Sequence, residues 1–359
     1  MRQELIFLVL FFAFFGKLDG LDLDCTQIPD SDIFAGNTAH IPTNSSELQS
    51  IPANFNCIYR ITVPVNSTNG LYAKVTLYNG LKGVNDQITV VEMTGYKTII
   101  TNRTGLGGSP YRYIVVPGSV MTIQVTTKSV FMNSKFLVTV DYGNAKIGAT
   151  SPLKTGGEMN YFDLNSTRDG VSLFSSVTFI DTAPIFMAVA IQEDNVINCW
   201  DCFVIDGTFE NQKKVYRLAN VDSTAFTSTS NAITLISFTD GFVPFVFNPL
   251  YETDQFKAVW ALATRPGITN ESSLKSFFVG FTEAVEVVNY ESNGIILTEF
   301  EIYSSNCQAL IVSGPPNNSS EILLDLSKKP KLPYSFDLKY FTVINENCNF
   351  MFGVMSYDN

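Results

Sequence analysis

The chain has 359 residues, a formal net charge of −11 and 45% hydrophobic residues. The acidic balance argues against a nucleic-acid partner, because nucleic-acid phosphates require a basic protein surface. The one basic cluster, at residues 328–331, is better explained as a solvated turn. At about 100 to 200 residues per domain, this length predicts two or three domains, and the apolar content is sufficient for their cores.

The N-terminus has the pattern of a secretory signal peptide. Met1 and Arg2 lead into twelve apolar or small residues, 5–16, and this run is shorter than the about 20 residues that span a bilayer. We expect a signal peptide over residues 1–20. No later apolar run approaches membrane-spanning length, and the polar C-terminus lacks the tail of a lipid-anchor signal. The sequence therefore predicts a secreted, extracellular protein with no membrane span.

Cysteines and glycosylation sequons agree with this route. Seven Asn-x-Ser/Thr sequons predict a glycoprotein, although the adjacent Asn317 and Asn318 are not expected to be occupied together. They are Asn44, Asn66, Asn102, Asn165, Asn270, Asn317 and Asn318. The six cysteines allow 15 pairings, and an oxidising compartment favours disulfides. Grouping along the chain favours Cys25–Cys57, Cys199–Cys202 and Cys307–Cys348.

Short β-type runs fill the first third of the chain. Runs at residues 57–63, 71–78 and 88–93 are rich in Val, Ile, Thr and Tyr and are separated by turn residues. In the second run, Leu71, Ala73, Val75 and Leu77 alternate with polar residues, as in a half-buried strand. Further runs at 111–116, 121–125 and 135–142 complete a predicted sandwich, whereas residues 21–49 look irregular. Residues 145–157 have the composition of a linker.

The middle of the chain repeats this order. Segments that begin at residues 185, 202, 231 and 255 follow those at 71, 87, 119 and 135 by 114, 115, 112 and 120 residues. A weaker third set lies at 294–302, 308–314 and 349–354. The sequence thus predicts an all-β protein of tandem jelly-roll sandwiches over residues 21–145, 152–264 and 265–359. Residues 271–288 are the best helix candidate, though a poor one.

The first segment resembles a CUB domain, and more closely the CUB-like domain of secreted nematode proteins. The resemblance covers about residues 25–145 and is carried by the stretches 55–64, 71–75, 85–90, 116–118 and 135–140. It implies a β-sandwich that binds proteins or glycans, with Cys25–Cys57 as the N-terminal disulfide. The CUB-like subfamily further implies a role in innate immune defence against bacteria.

A calcium site, which many CUB domains hold, is only partly matched. Asp86 stands where one family carboxylate falls, but residues 71–77 offer no carboxylate and the loop after Val125 reads Thr-Thr-Lys-Ser. Calcium requires six to eight oxygen ligands. Asp86 is therefore a weak calcium-ligand candidate and otherwise a turn cap, and we expect no cofactor.

Catalytic motifs are weak. The spacing Cys199-Trp-Asp-Cys202 is that of a redox dithiol, but a strand pattern follows it, which favours a structural disulfide. His40 is the only histidine and lies in the irregular segment, so neither a His-based triad nor a zinc site of several histidines is expected. Paired carboxylates could support a glycosidase, because 34 Asp and Glu are available.

Exposed aromatic rings offer a better route to function, since such rings stack on sugars. The candidates are Tyr72, Tyr78, Tyr96, Tyr111 and Tyr113, and ordinary cross-strand pairing is the competing explanation for each of them. The sequence predicts a non-enzymatic binder of a glycan, a microbial surface component or a protein. An extracellular structural or adhesive protein is the alternative, and a glycan hydrolase is the third reading.

Overall fold

A computed structural model describes most of the chain and divides it into two compact units, Met1–Ala145 and Lys146–Asn359. The described residues are 23, 25–43, 45–65, 70–104, 109–129, 133–145, 147–164, 175–191, 199–220, 225–238, 243–264, 272–276, 282–290, 293–304, 307–317 and 320–357. The predicted signal peptide lies outside them. Within these ranges, no helix has the length and apolar character needed to cross a membrane.

The first unit is a two-sheet sandwich. Its strands are β1 (Thr38–Ile41), β2 (Gln49–Ser50), β3 (Asn56–Thr62), β4 (Gly70–Gly80), β5 (Gln87–Val91), β6 (Lys97–Thr101), β7 (Tyr111–Val115), β8 (Val120–Thr126) and β9 (Lys135–Ala145). Sheet A has the order β1-β9-β4-β7, with β2 also paired to β9, and sheet B has the order β3-β8-β5-β6. The first and last strands, β1 and β9, are neighbours, as in a jelly roll.

Alternation along each strand builds the core of this unit. Val75 and Leu77 of β4 and Tyr59 and Ile61 of β3 are at most 1% exposed, and they belong to one cluster that contains side chains from both sheets. Fully burying an aliphatic side chain of this size contributes about 1.5–3 kcal/mol. The period-2 pattern in the sequence is therefore the pattern of the sandwich interior.

A second sandwich opens the second unit and repeats the first in strand order. Its strands are β10 (Thr150–Pro152), β11 (Asn160–Asp163), β12 (Ser175–Ile180), β13 (Ile185–Ile191), β14 (Cys202–Gly207), β15 (Gln212–Arg217), β16 (Ala225–Thr227), β17 (Ala232–Ser237) and β18 (Pro244–Pro249), followed by helix α1 (Leu250–Thr253). Sheet C runs β10-β12-β17-β14-β15, and sheet D runs β11-β18-β13-β16. Apart from the added β10, each order is that of the first unit.

A third sandwich completes the second unit. Its strands are β19 (Ala258–Thr264), β20 (Ser272–Ser276), β21 (Thr282–Asn289), β22 (Gly294–Ile302), β23 (Gln308–Ser313), β24 (Ile322–Asp325), β25 (Tyr334–Phe336), β26 (Tyr340–Glu346) and β27 (Phe350–Tyr357). Sheet E runs β19-β21-β26-β23-β24, and sheet F runs β20-β27-β22-β25. Without β19, these are again the strand orders of the first unit. The predicted all-β fold of tandem sandwiches is confirmed.

Small side chains join the second and third sandwiches inside the second unit. Strand β13 pairs with β19 in parallel, so sheets D and E form one nine-stranded sheet. Ala188, Ala190, Ala261 and Ala263 belong to a separate buried cluster that lies outside the two sandwich cores. Alanine side chains let the backbones approach closely. The predicted boundary at residues 264 and 265 stays a prediction, because both segments belong to one compact unit.

Four sequence expectations are wrong in detail. In the second sandwich, the strand equivalent to β9 is β18 and not the predicted segment at 255–262. Most of that segment forms the additional strand β19. The helix candidate at 271–288 instead contains strands β20 and β21. His40 lies in strand β1, and the composition-based linker at 145–157 contains β10.

Candidate ligand-binding face of the first unit

The outer surface of sheet A carries polar side chains on β1, β4, β7 and β9. Strand β4 alternates strictly over residues 71–78, so Leu71, Ala73, Val75 and Leu77 are buried while the intervening residues point outward. We call the outward-facing residues of the four strands the polar face. They are Thr38, His40, Tyr72, Lys74, Thr76, Tyr78, Arg112, Ile114, Leu137, Thr139, Asp141 and Gly143.

Strand register places these side chains in rows. One row runs from His40 through Thr139 and Thr76 to Arg112. With neighbouring strands about 4.8 Å apart, four such residues span about 14 Å. A parallel row holds Thr38, Asp141, Lys74 and Ile114. The two rows present hydroxyl, imidazole, carboxylate, ammonium and guanidinium groups side by side.

Some of these groups interact with one another, and others are exposed without an ion-pair partner among the described residues. The hydroxyl of Thr38 donates to Oδ1 of Asp141 at 2.7 Å, and the hydroxyl of Thr139 lies 3.4 Å from Nδ1 of His40. The Lys74 ammonium lies 5.9 Å from the centroid of the Tyr72 ring. Arg112 and Lys74 are exposed, and neither forms an ion pair with a described residue. The face can therefore offer hydrogen bonds and charge to a ligand.

The five candidate tyrosines separate into three groups. Tyr72 and Tyr78 lie on the polar face, six residues apart on β4, and Tyr96 is 59% exposed in the turn between β5 and β6. Tyr111 and Tyr113 point into the sandwich, so the expectation that they are exposed is wrong. Burial, followed by the nearby Glu92 carboxylate, raises the pKa of Tyr113 to about 12.

The Tyr72 ring also has a packing role. It lies over Gly143, its cross-strand partner, where an added Cβ would stand 2.3 Å from Cζ of the ring. A glycine in a sheet leaves a gap that an aromatic neighbour can cover. Burial raises the pKa of the Tyr72 phenol. Tyr72 is thus held flat against the sheet.

Asp86 is a buried connector between loops. Its Oδ1 accepts hydrogen bonds from the backbone N–H groups of Lys128 and Ser129 at 2.9 and 3.0 Å, and its Oδ2 accepts one from the Ser134 hydroxyl at 2.6 Å. Burial favours the protonated carboxyl, but these hydrogen bonds together outweigh it and lower the pKa of Asp86. The carboxylate ties the loop before β5 to the β8–β9 connection.

Asp86 and His40 are the sequence candidates for metal binding and for histidine-based catalysis. Within the described ranges, no three His, Cys, Asp or Glu side chains are grouped so as to hold a metal ion. The weak calcium assignment of Asp86 therefore gains no further ligand. The hydrogen-bond neighbour of His40 is the Thr139 hydroxyl, which lies 3.4 Å from Nδ1.

The three disulfides are Cys25–Cys57, Cys199–Cys202 and Cys307–Cys348, as grouping along the chain predicted. Cys307 precedes β23, and Cys348 lies in the β26–β27 connection. In the strand orders above, β23, β26 and β27 are the counterparts of β5, β8 and β9. This disulfide therefore joins the same two loops of the third sandwich that Asp86 joins in the first.

The Cys199–Cys202 loop contacts a buried arginine side chain. Buried Arg217 donates a hydrogen bond to the carbonyl of Trp200 and lies 4.8 Å from the Trp200 ring centroid. Its guanidinium also lies 3.6 Å from Asp201 and 5.0 Å from the Phe203 ring centroid. Trp200 itself is 62% exposed. A strand follows Cys202, as the sequence predicted.

Of the predicted glycosylation sites, Asn102 and Asn317 are described. The Asn102 amide donates to the Lys82 carbonyl at 3.2 Å, and the Asn317 amide donates to the Gly156 carbonyl at 2.9 Å. Asn44, Asn66, Asn165, Asn270 and Asn318 lie outside the described residues. Occupancy of all seven sites stays a prediction.

Sequence reasoning missed most of the polar face. Thr38 and His40 belong to a short strand that pairs with β9 about 100 residues later, and Arg112 belongs to β7. Alternation in β7 and β9 could have indicated that Arg112, Thr139 and Asp141 point outward. Their assembly with Lys74 could not be found in this way, because it depends on pairing between distant strands.

Comparison with known proteins agrees with the fold of the first unit. Residues 21–146 match the family described as the CUB-like domain. The chain does not match any of the curated proteins compared with it.

Two solved structures align at low similarity. The CUB1-EGF-CUB2 domains of rat MASP-1 have 12% identity and a TM-score of 0.23, covering 62% of this chain and 99% of that one. The triple jelly-roll turret protein of an archaeal virus has 10% identity and a TM-score of 0.24, covering 86% and 85%. Residues 21–146 are therefore identified as a CUB-like domain by the family match, as their sequence motifs predicted.

Proposed function

We propose that this protein is a secreted, N-glycosylated and non-enzymatic binding protein whose CUB-like domain holds a glycan against the polar face. A CUB-like domain is a binding module in kind. The proposed ligand class is glycan, including the glycans of microbial surfaces, and the proposed setting is extracellular innate defence. The observation that carries the proposal is the combination of two outward tyrosines with rows of polar side chains on one sheet.

Glycan recognition uses both kinds of group. Sugar rings have apolar faces that stack on aromatic side chains, and their hydroxyls exchange hydrogen bonds with side chains such as those of Thr76, Thr139 and Arg112. Tyr78 is 37% exposed and lies at one end of the face. The described residues gather no metal ligands, so the binding we propose uses these side chains directly.

The test is binding of the full-length protein to a glycan array and to intact bacteria. Tyr78→Ala should weaken binding about tenfold, or about 1.4 kcal/mol, because a stacked ring is lost. Tyr96→Ala is the matched control, since it removes an even more exposed tyrosine that lies in a turn away from the polar face. Equal effects of the two substitutions would contradict the proposed face. Absence of binding to any glycan or microbe would leave the structural or adhesive role as the better reading.

A further inference from the structure

Two cations stand side by side on the polar face without a counter-ion. Arg112 lies opposite Thr76 and Lys74 lies two residues away on the same strand, so the two cations are diagonal cross-strand neighbours. The Cα atoms of such diagonal neighbours are about 7–8 Å apart. Both side chains are exposed, and among the described residues neither forms an ion pair. This local excess of positive charge occurs in a chain whose net charge is −11.

The one carboxylate among the residues of the polar face, Asp141, offsets only part of the charge of the two cations. It lies opposite Lys74 on the β9 side, away from Arg112, and it forms no ion pair with a described residue. Like charges that neighbour each other on a sheet repel. Repulsion between Arg112 and Lys74 would be relieved by an anion bound between them.

Tyr78 completes the arrangement. It is the other diagonal neighbour of Arg112, since Thr76 lies between Lys74 and Tyr78 on the same strand. A guanidinium group binds a carboxylate or sulfate with two parallel hydrogen bonds, and an ammonium adds a point charge. A sugar ring stacked on Tyr78 could therefore direct an acidic substituent toward Arg112 and Lys74.

We propose that the polar face selects acidic glycans, that is, sugars that carry a carboxylate or a sulfate. Arg112 binds the anionic group, Lys74 adds charge, and Tyr78 stacks on the sugar ring. The proposal rests on the proposed glycan-binding function and specifies its ligand class. It also predicts that added salt weakens binding, because exposed charges are screened.

The experiment compares three probes of equal length with the full-length protein: a uronic-acid oligosaccharide, a sulfated oligosaccharide and a neutral chitooligosaccharide. Affinities are measured by calorimetry at low and high sodium chloride. We expect at least one acidic probe to bind tenfold or more tightly than the neutral one, with this preference reduced by salt. The comparison of carboxylate with sulfate identifies which anion the site prefers.

Substitutions test the assignment of residues. Arg112→Gln should weaken binding of the acidic probe tenfold or more and binding of the neutral probe much less, and Lys74→Gln should have a smaller effect. Lys97→Gln is the matched control, because Lys97 is exposed on β6 of the other sheet. Thermal melts check that each variant is folded.

Two outcomes would overturn the inference. Equal affinity for acidic and neutral probes, or an equal loss of both in Arg112→Gln, would show that the face binds glycans without selecting charge. The proposed function would then stand without this ligand class. If the wild-type protein binds no probe and no glycan on the array, the proposed function fails together with the inference.

Discussion

A buried glutamate should make the stability of the second unit depend on pH. Glu286 on β21 is fully buried, and its two carboxyl oxygens lie 3.0 and 2.9 Å from Nδ2 of Asn248 on β18. Oδ1 of Asn248 is buried and has no hydrogen-bond partner among the described residues. Burial raises the pKa of Glu286 to about 8, against the hydrogen bond from Asn248, and the nearby Glu252 adds to the rise.

The direction of this pH dependence follows from proton binding to Glu286. Between pH 4.5 and about 8, the folded protein keeps a proton on Glu286 that the unfolded chain has released. The free energy of unfolding therefore falls as the pH rises through this window, and the contribution is fully present only below pH 4.5. At about 1.4 kcal/mol for each pKa unit, the difference between 4.5 and about 8 amounts to about 5 kcal/mol.

Glu286→Gln isolates this contribution. Glutamine keeps the shape and carries no titrating group, and its amide can donate to the unpartnered Asn248 Oδ1 while it accepts from Asn248 Nδ2. The variant should be more stable than the wild type at pH 8, and its advantage should shrink by about 5 kcal/mol on going to pH 4.5. Glu210→Gln, at an exposed turn position, is the matched control.

Urea unfolding followed by tryptophan fluorescence is a suitable assay. The two tryptophans, Trp200 and Trp260, both belong to the second unit, so the signal reports on that unit alone. Measurements at half-unit intervals from pH 4.5 to 8.5 give the difference in unfolding free energy between variant and wild type. A difference that stays constant over this range would refute the reasoning.

Three further predictions concern the first unit and the Cys199–Cys202 loop. Asp86→Ala should lower the stability of the first unit by about 2–4 kcal/mol in circular-dichroism melts, because it leaves buried donors without an acceptor. Millimolar calcium should not shift the melting midpoint of the wild type. A calcium-dependent rise of that midpoint would make Asp86 a ligand. Arg217→Ala should cost about 2–4 kcal/mol and shift Trp200 emission to the red, whereas unchanged emission would contradict the stacking. Gly143→Ala should displace the Tyr72 ring and weaken glycan binding about threefold on the array, with a melting midpoint near that of the wild type; full affinity would exclude that ring from the site.

Alternation of apolar and polar residues along the sequence predicted the strands that are buried on one face only. Strand β4 shows this clearly, since its inward and outward residues differ in both polarity and exposure. The sequence assigned the equivalent of β9 wrongly because β18 is buried along its whole length. Phe245 and Phe247 of β18 belong to the core of the second sandwich, whereas Val246 belongs to the separate alanine-rich cluster. A strand covered on both faces in this way loses its alternating pattern.

The candidate site was harder to predict than the fold for a related reason. Local pattern indicates which way a side chain points, and it identified Tyr72 and Tyr78 correctly. It gives no information on which strands are neighbours. Arg112 joins Lys74 only because β7 pairs with β4, and Asp141 joins Thr38 only because β9 pairs with β1.

Two sandwiches use different chemistry to connect the same two loops. These are the loop before β5 and the β8–β9 connection in the first sandwich, and the loop before β23 and the β26–β27 connection in the third. In the first sandwich the connection depends on the Asp86 carboxylate, whose lowered pKa means that its contribution is present above pH 3.8 and is lost as the pH falls further. In the third sandwich it is the Cys307–Cys348 disulfide, which a thiol reductant breaks at neutral pH. Acid should therefore loosen this connection in the first sandwich and leave it intact in the third, and a reductant should do the reverse. One chain thus contains two forms of the same loop-to-loop connection, and each form is lost under a different solution condition.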